Sequence, residues 1–292
     1  MAAAFAPKQE LTRPPRYHFQ YRRNAGALHV QISDGHDALD IPLEWAFGAG
    51  EQAVTFVSRL NADWYIEHYF SYYAALQSLA PTPGHFGRRS NTLPLAAGLQ
   101  YKSADPVTGI QACFRCHSTG PVLSGSANEV TPAELGVRCE ACHGPGSLHM
   151  DAASPGEIDR ARSLIQNPKR MSASALNQLC GECHRAPEGG PAINLDKPFS
   201  VRHQPVYLSR SACFVRSKGA LSCLTCHDPH GPLDRDSAHY NRQCANCHGS
   251  MPHTSGGSCT ECHMPRIAVE RYLEFTNHWI GVYRGDDKLK PR

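Results

Sequence analysis

The sequence predicts a mixed fold that is mostly irregular, with a small antiparallel β-sheet region in residues 1–105 and short helices in residues 106–292. Two observations predict this division. Residues 1–105 contain no cysteine and hold short runs of β-branched and aromatic residues with period-two alternation. Residues 106–292 hold all 13 cysteines, and their many Gly, Pro and Ser residues favour turns and loops. A chain of 292 residues is long enough to bury a core in one large domain or two smaller ones.

The sequence of residues 1–105 predicts four β-strands separated by turns. The β-prone runs are Tyr17 to Tyr21, Ala27 to Ile32, Ala53 to Val57 and Trp64 to Tyr73. The turn signals between them are Asp34-Gly35, Gly48-Ala49-Gly50 and Asn61-Ala62-Asp63. The last run is rich in aromatic residues, which either cover a neighbouring group or simply form the core of the sheet.

The second region predicts loops and short helices. Pro81 to Gly84 and Pro94 to Asp105, which lie at the end of the first region, predict a loop-rich passage into the second. Thr131 to Glu134 has the N-cap, proline and acidic residue of a helix start. Gly156 to Gln166 and Ser172 to Cys180 predict two further helices.

Twelve of the 13 cysteines form six Cys-x-x-Cys pairs, and each pair is followed at once by His. The paired cysteines are Cys113 and Cys116, Cys139 and Cys142, Cys180 and Cys183, Cys223 and Cys226, Cys244 and Cys247, and Cys259 and Cys262. The histidines that follow them are His117, His143, His184, His227, His248 and His263. Cys213 alone lies outside this pattern.

Three chemistries compete for these pairs. Structural disulfides and zinc ribbons both use paired cysteines, but neither requires a histidine as the next residue. Covalent attachment of c-type haem explains all five positions, because two thiols form thioethers and the adjacent histidine ligates the iron. The sequence therefore predicts six covalent haems with their iron. About 30 residues of chain per haem are too few to wrap each one separately, so we expect the short helices to surround stacked haems.

The second axial ligand of each iron decides between an electron carrier and a catalyst. The chain has 17 histidines but five methionines, so we expect mostly bis-histidine ligation. The strongest candidates are His149, His230, His253 and His278, followed by His203 and His239. His230 lies three residues after a motif histidine and cannot easily reach the opposite face of the same haem, so it should serve a neighbouring one.

The chain resembles multihaem c-type cytochromes, in particular the group of tetrahaem cytochromes and hydroxylamine-oxidoreductase-like proteins. The matching stretches are Gly136 to Gly146, Ser211 to Phe214, Leu221 to His230, Cys259 to Pro265 and Thr276 to Trp279. The resemblance implies that His149, His230, His253 and His278 occupy distal-ligand positions. Some members of the group carry His where this chain has Gln52, which leaves the sixth ligand of one haem, the first, open.

Electron transfer between redox partners is the function that these features predict, without a catalytic residue. An alternative is an oxidoreductase with one five-coordinate haem that acts on a small nitrogen or sulfur compound. Another is a subunit of a larger haem complex or filament. The partners expected are other redox proteins or cytochromes. Nucleic acid is excluded by a net charge of +3 without a run of five like charges, and a transmembrane span by the lack of an apolar stretch of about 18 residues.

Haem c is attached outside the cytoplasm, so a periplasmic or cell-surface location is expected. The first 25 residues lack the apolar segment of an export signal, and Met1 to Ala6 resembles the tail of a truncated one.

Overall fold

A computed structural model describes residues 8–24, 26–103, 105, 107–125, 129–189, 192–249 and 257–292. The chain divides into two compact units, Met1–Ala141 and Cys142–Arg292. The division of the sequence by motif content, at residues 105 and 106, stays a prediction.

The first unit begins with a four-stranded antiparallel sheet in the order β1-β2-β3-β4. Its strands are β1 Lys8–Arg13, β2 Tyr17–Asn24, β3 Ala27–Ser33 and β4 Ala38–Pro42. Tyr17, Phe19 and Tyr21 of β2 are buried and alternate with more exposed residues. The predicted period-two pattern is therefore confirmed, because one face of this sheet supplies the core.

A six-stranded sheet follows, in the order β10-β7-β6-β8-β9, with β5 pairing to β6. Its strands are β5 Trp45–Phe47, β6 Ala53–Arg59, β7 Trp64–His68, β8 Phe70–Tyr73, β9 Ser78–Pro81 and β10 Gly98–Lys102. The aromatic run predicted as one strand is two, since at Tyr69 the backbone N–H donates to Ala97 instead of a strand partner. Phe70 and Tyr72 are buried, and Phe70 meets Phe19 edge to face at 5.0 Å. The sheet-core alternative therefore holds for these rings.

The loop predicted from Pro94 to Asp105 is wrong, because α1 (Leu93–Ala97) and β10 occupy most of it. The side chain of Thr92 accepts a hydrogen bond from Leu95 N, which caps α1. The buried guanidinium of Arg13 donates to the carbonyls of Leu95 and Ala96 at the end of the helix. Long-range contacts of this kind leave no local trace in the sequence.

The helix predicted to start at Thr131 is also wrong, because Val130–Leu135 is strand β12. It pairs with β11 (Ser118–Ser124), and the register shifts between Thr119 and Val122. The backbone N–H of buried Val130 donates to the Tyr65 hydroxyl at 2.7 Å. Proline is tolerated here since each strand of a two-stranded sheet is an edge. Helix α2 (Ile110–His117) also belongs to this unit, and α3 (Cys139–His143) crosses its boundary.

The second unit consists of short helices and one hairpin. The helices are α4 Ser147–Ala153, α5 Ile158–Ser163, α6 Ala173–His184, α7 Gln204–Leu208, α8 Ala212–Arg216, α9 Cys223–Cys226, α10 Ser237–His248 and α11 Cys259–His263, and the hairpin strands are β13 Arg266–Glu270 and β14 Leu273–Thr276. The predictions for Gly156 to Gln166 and Ser172 to Cys180 are confirmed as α5 and α6. Ser172 caps α6 by accepting from Ala175 N.

The second unit has apolar side chains that other protein groups do not cover. Val201, Tyr207 and Ile267 form a buried cluster near the hairpin. In contrast, Leu148 and Val215 are each more than 60% exposed. A small protein core with uncovered apolar side chains fits a unit in which bound cofactors supply part of the core. No helix in the described ranges is both long and apolar enough to cross a membrane.

Candidate haem-binding site

All six motifs adopt the same local structure, a helix that ends at the motif histidine or one residue before it. These helices are α2, α3, α6, α9, α10 and α11. In a helix, two cysteines three residues apart lie on one face, and a histidine four residues after the first lies on that face too. The two thiols and the imidazole of each motif are therefore presented together, as covalent haem attachment requires.

Two observations concern the competing chemistries. The cysteines are thiols, with no disulfide in the ranges described. The described residues also bring together no group of three or more His, Cys, Asp or Glu side chains that could hold a bare metal ion. Zinc ribbons would need four such ligands around each ion.

The first motif is anchored by aromatic packing in the first unit. Phe114 of α2 is fully buried and meets Trp45 and Phe47 edge to face, at 5.4 and 5.1 Å. The ring of His117 lies on Phe47 at a centroid distance of 4.7 Å and an angle of 7°. The β5 strand thus fixes both the attachment helix and its histidine.

Four of the predicted ligands use the same ring nitrogen to bond the backbone. In His143, His149, His263 and His278, Nδ1 lies 2.8 or 2.9 Å from the carbonyl oxygens of Gln166, Ala161, Gly281 and Thr276 respectively. An Nδ1–H donated to a carbonyl fixes the tautomer in which Nε2 carries the lone pair. Nε2 is then the nitrogen left free to bind a metal.

Two pairs of imidazoles have the separation expected for ligands of one metal ion. The ring centroids of His143 and His230 are 6.0 Å apart with 10° between the ring planes, and those of His227 and His278 are 6.2 Å apart with 38°. A metal–nitrogen bond of about 2 Å on each side, plus about 1.1 Å from nitrogen to ring centre, gives about 6 Å. The stacked rings of Phe47 and His117 are closer, at 4.7 Å.

Burial keeps two distal candidates in the neutral form that a metal ligand needs. Burial, with His227 and His184 nearby, lowers the pKa of His278 to about 4. Burial, followed by the charges of Arg202 and Arg185 and the proximity of His184, lowers the pKa of His203 to about 4. Both candidates therefore lie close to a motif histidine.

The other candidates differ in their surroundings. His239 has Nε2 3.1 Å from the Cys226 carbonyl and Nδ1 3.4 Å from Asp234, so protein oxygens meet both nitrogens. His253 lies outside the described residues. Gln52 is an exposed residue before β6.

Cys213 lies among the attachment cysteines of the second unit. Burial, and to a smaller extent the thiol of Cys247, raise the pKa of Cys213. The thiol of Cys213 in turn contributes to raising the pKa values of Cys226 and Cys244. The residue that the motif pattern leaves unexplained is thus half-buried beside the fourth and fifth motifs.

Two functional residues that the sequence analysis missed are Asn177 and Asn241. Each amide oxygen accepts the backbone N–H of the first cysteine in the following motif, Cys223 and Cys259 respectively. The available signal is the shared spacing Asn-x-x-Cys-x-x-Cys-His in α6 and α10.

Comparisons with known proteins agree with this site. Residues 89–144 match the family described as cytochrome c554 and c-prime. The multiheme cytochrome MtrA of Shewanella baltica (strain OS185) is 23% identical in an alignment over 180 residues, and the match covers 48% of this chain. The match spans 53% of that relative, about half of its length. No solved structure matches the chain. These findings support a multihaem c-type cytochrome with covalent haem c and its iron, and they suggest electron transfer.

Proposed function

We propose that this chain transfers electrons through six covalently bound c-type haems, mostly with bis-histidine ligation, between extracytoplasmic redox partners. Thioethers would form at the twelve motif cysteines, and the six motif histidines would be the proximal ligands. Haem c, when bound, supplies a one-electron iron couple whose potential follows its axial ligands and burial. The haem-bearing domain would be residues 106–292.

The observation that carries the proposal is the spacing of the two imidazole pairs. His230 would be the distal ligand opposite His143, and His278 the one opposite His227, because each pair spans the width of one coordinated iron. Two protein ligands leave no position for a substrate, so these sites favour electron transfer. His149 and His203 remain distal candidates for other haems, followed by His239 and His253.

The neighbouring motif cysteines support a continuous route within the second unit. Burial and the thiol of Cys180 raise the pKa of Cys142, so the second and third motifs are close together. The Cys180 thiol, together with burial, raises the pKa of Cys223, so the third and fourth motifs are close together too. Burial and the thiols of Cys259 and Cys226 raise the pKa of Cys244 to about 11, which extends the series through the last three motifs. Attachments this close favour electron transfer from one haem to the next.

Spectroscopy of the haem-loaded protein with and without cyanide tests the proposal. We expect His230→Ala and His278→Ala each to convert one haem from low spin to high spin, and that haem to bind cyanide. The control is His36→Ala, which removes an exposed loop histidine and should leave the spectrum unchanged. If either His230→Ala or His278→Ala keeps only low-spin haems that bind no cyanide, the assignment of that histidine as a distal ligand is wrong.

A second candidate function is favoured by the surroundings of His117. Its ring contact in the described part of the chain is Phe47 and not a second imidazole. If the first haem is five-coordinate, the chain would be an oxidoreductase that acts on a small nitrogen or sulfur compound. A high-spin signal in the unmodified protein that titrates with cyanide or nitric oxide would favour this function over a pure carrier.

The proposed partners are other redox proteins or cytochromes, including those of a larger complex or filament. The proposed location is the periplasm or the cell surface, because haem c is attached outside the cytoplasm.

A further inference from the structure

Asn177 and Asn241 occupy equivalent places in two helices. Asn177 lies in α6 three residues before Cys180, and Asn241 lies in α10 three residues before Cys244. Both helices have 12 residues, and both end at a motif histidine. The two asparagines therefore face their own motifs in the same way.

Each asparagine also holds the start of the next attachment helix. Asn177 Oδ1 accepts Cys223 N at 3.0 Å, and Asn241 Oδ1 accepts Cys259 N at 2.9 Å. These cysteines are the first residues of α9 and α11. The first N–H groups of a helix have no partner inside the helix, so an acceptor on a neighbouring helix fixes where and at what angle it starts.

The thiols of the first cysteines of these motifs form the same two pairs. Interaction with the Cys180 thiol, together with burial, raises the pKa of Cys223, and burial together with the Cys259 thiol raises the pKa of Cys244. The first cysteines of motifs three and four are therefore side by side, as are those of motifs five and six. The repeat is hidden in the sequence because α7 and α8 lie between the members of the first pair only.

A further observation points from Asn177 toward a bound group. Asn177 is 2% exposed, and its Nδ2 is buried without a hydrogen-bond partner among the described residues. A buried donor without a partner destabilises a protein, and native proteins usually provide one. Its oxygen serves Cys223, which leaves the amide nitrogen for a group bound next to the two motifs.

We infer that the second unit contains a two-haem module twice, and that Asn177 and Asn241 are the positioning residues that set the two attachments of each module against each other. The inference rests on the proposed six-haem function. Asn177 would fix the third and fourth haems relative to one another, and Asn241 the fifth and sixth. Neither asparagine would ligate iron.

Proton NMR of the oxidised, haem-loaded protein tests this inference, because the shifted haem methyl signals report each haem's geometry separately. We expect Asn241→Ala to move the signals of two of the six haems and leave the other four unchanged. Asn241→Asp keeps an acceptor oxygen and should restore the unmodified signals. The matched control is Asn246→Ala, since Asn246 is an exposed residue of the same helix that bonds only to Gln243.

Asn177→Ala should move a different pair of haems from the pair that Asn241→Ala moves. If Asn177→Ala fails to fold, the half-buried Asn241 still tests the inference by itself. The inference is overturned if Asn241→Ala affects one haem or all six, or if Asn246→Ala has the same effect. A failure of the proposed carrier function would instead show as cyanide binding in the unmodified protein.

Discussion

At the scale of single residues, the ring nitrogen that forms the hydrogen bond distinguishes two of the ligand candidates from two histidines of the β-sheet unit. His143 and His278 bond a carbonyl through Nδ1, which directs Nε2 to a metal. His68 and His85 instead use Nε2, toward Ser58 and Glu67 in the β-sheet unit. The sequence shows where these histidines are, but it does not show which ring nitrogen of each one forms the hydrogen bond.

His68 should make the stability of the protein pH-dependent. Burial, reinforced by His85, lowers the pKa of His68 to about 3. The Ser58 hydroxyl donates to the Pro42 carbonyl, so it accepts from Nε2–H of neutral His68. Below about pH 6.5 the unfolded chain binds a proton that the folded protein excludes until about pH 3. The free energy of unfolding should therefore decrease as the pH is lowered from about 6.5 to about 3, by about 1.4 kcal/mol per pH unit.

The measurement is urea unfolding, followed by circular dichroism, at pH 7 and pH 5. When the pH is lowered from 7 to 5, the free energy of unfolding of His68→Gln should decrease by about 2 kcal/mol less than that of the unmodified protein. The control His18→Gln replaces an exposed histidine of β2 and should keep the unmodified pH dependence. Equal pH dependence in both variants would refute this role of His68.

At the scale of elements, local patterns predicted the structure wherever local interactions decide it. The alternation in Tyr17 to Tyr21 and the N-cap at Ser172 both correspond to observed elements. The helix prediction around Thr131 was wrong because the conformation there depends on Tyr65, which is distant in sequence. The pairing of His143 with His230 could not be predicted for the same reason.

Tyr65→Phe should destabilise the attachment of hairpin β11–β12 to the six-stranded sheet. The change leaves the buried N–H of Val130 without its acceptor, which costs about 1–3 kcal/mol. Urea unfolding and hydrogen exchange at Val130 measure the loss. Tyr17→Phe is the control, since that hydroxyl makes only a 3.4 Å contact with Ser90. A loss no larger than the control's would contradict the assigned contact.

At the scale of the whole molecule, the haem count is the quantity that decides the proposal. The intact mass of the mature protein should correspond to six attached haems, and full reduction should consume six electrons. Cys259→Ala with Cys262→Ala should remove one haem, since in the proposal those thiols would form its thioethers. Cys213→Ser should still carry six, because Cys213 lies beside two motifs without belonging to either. A haem lost with Cys213 would contradict the motif assignment.

The contacts between thiols of different motifs also bear on how the protein matures. Cys180 and Cys223, like Cys244 and Cys259, are neighbours in the folded chain. In an oxidising compartment, thiols this close are partners for a disulfide that would block two attachments at once. A chain that folded before it received its haems would therefore risk cross-linking one motif to the next. If the chain carries haem as proposed, this arrangement favours an order of biosynthesis in which the thiols stay reduced and receive haem before the helices close around them.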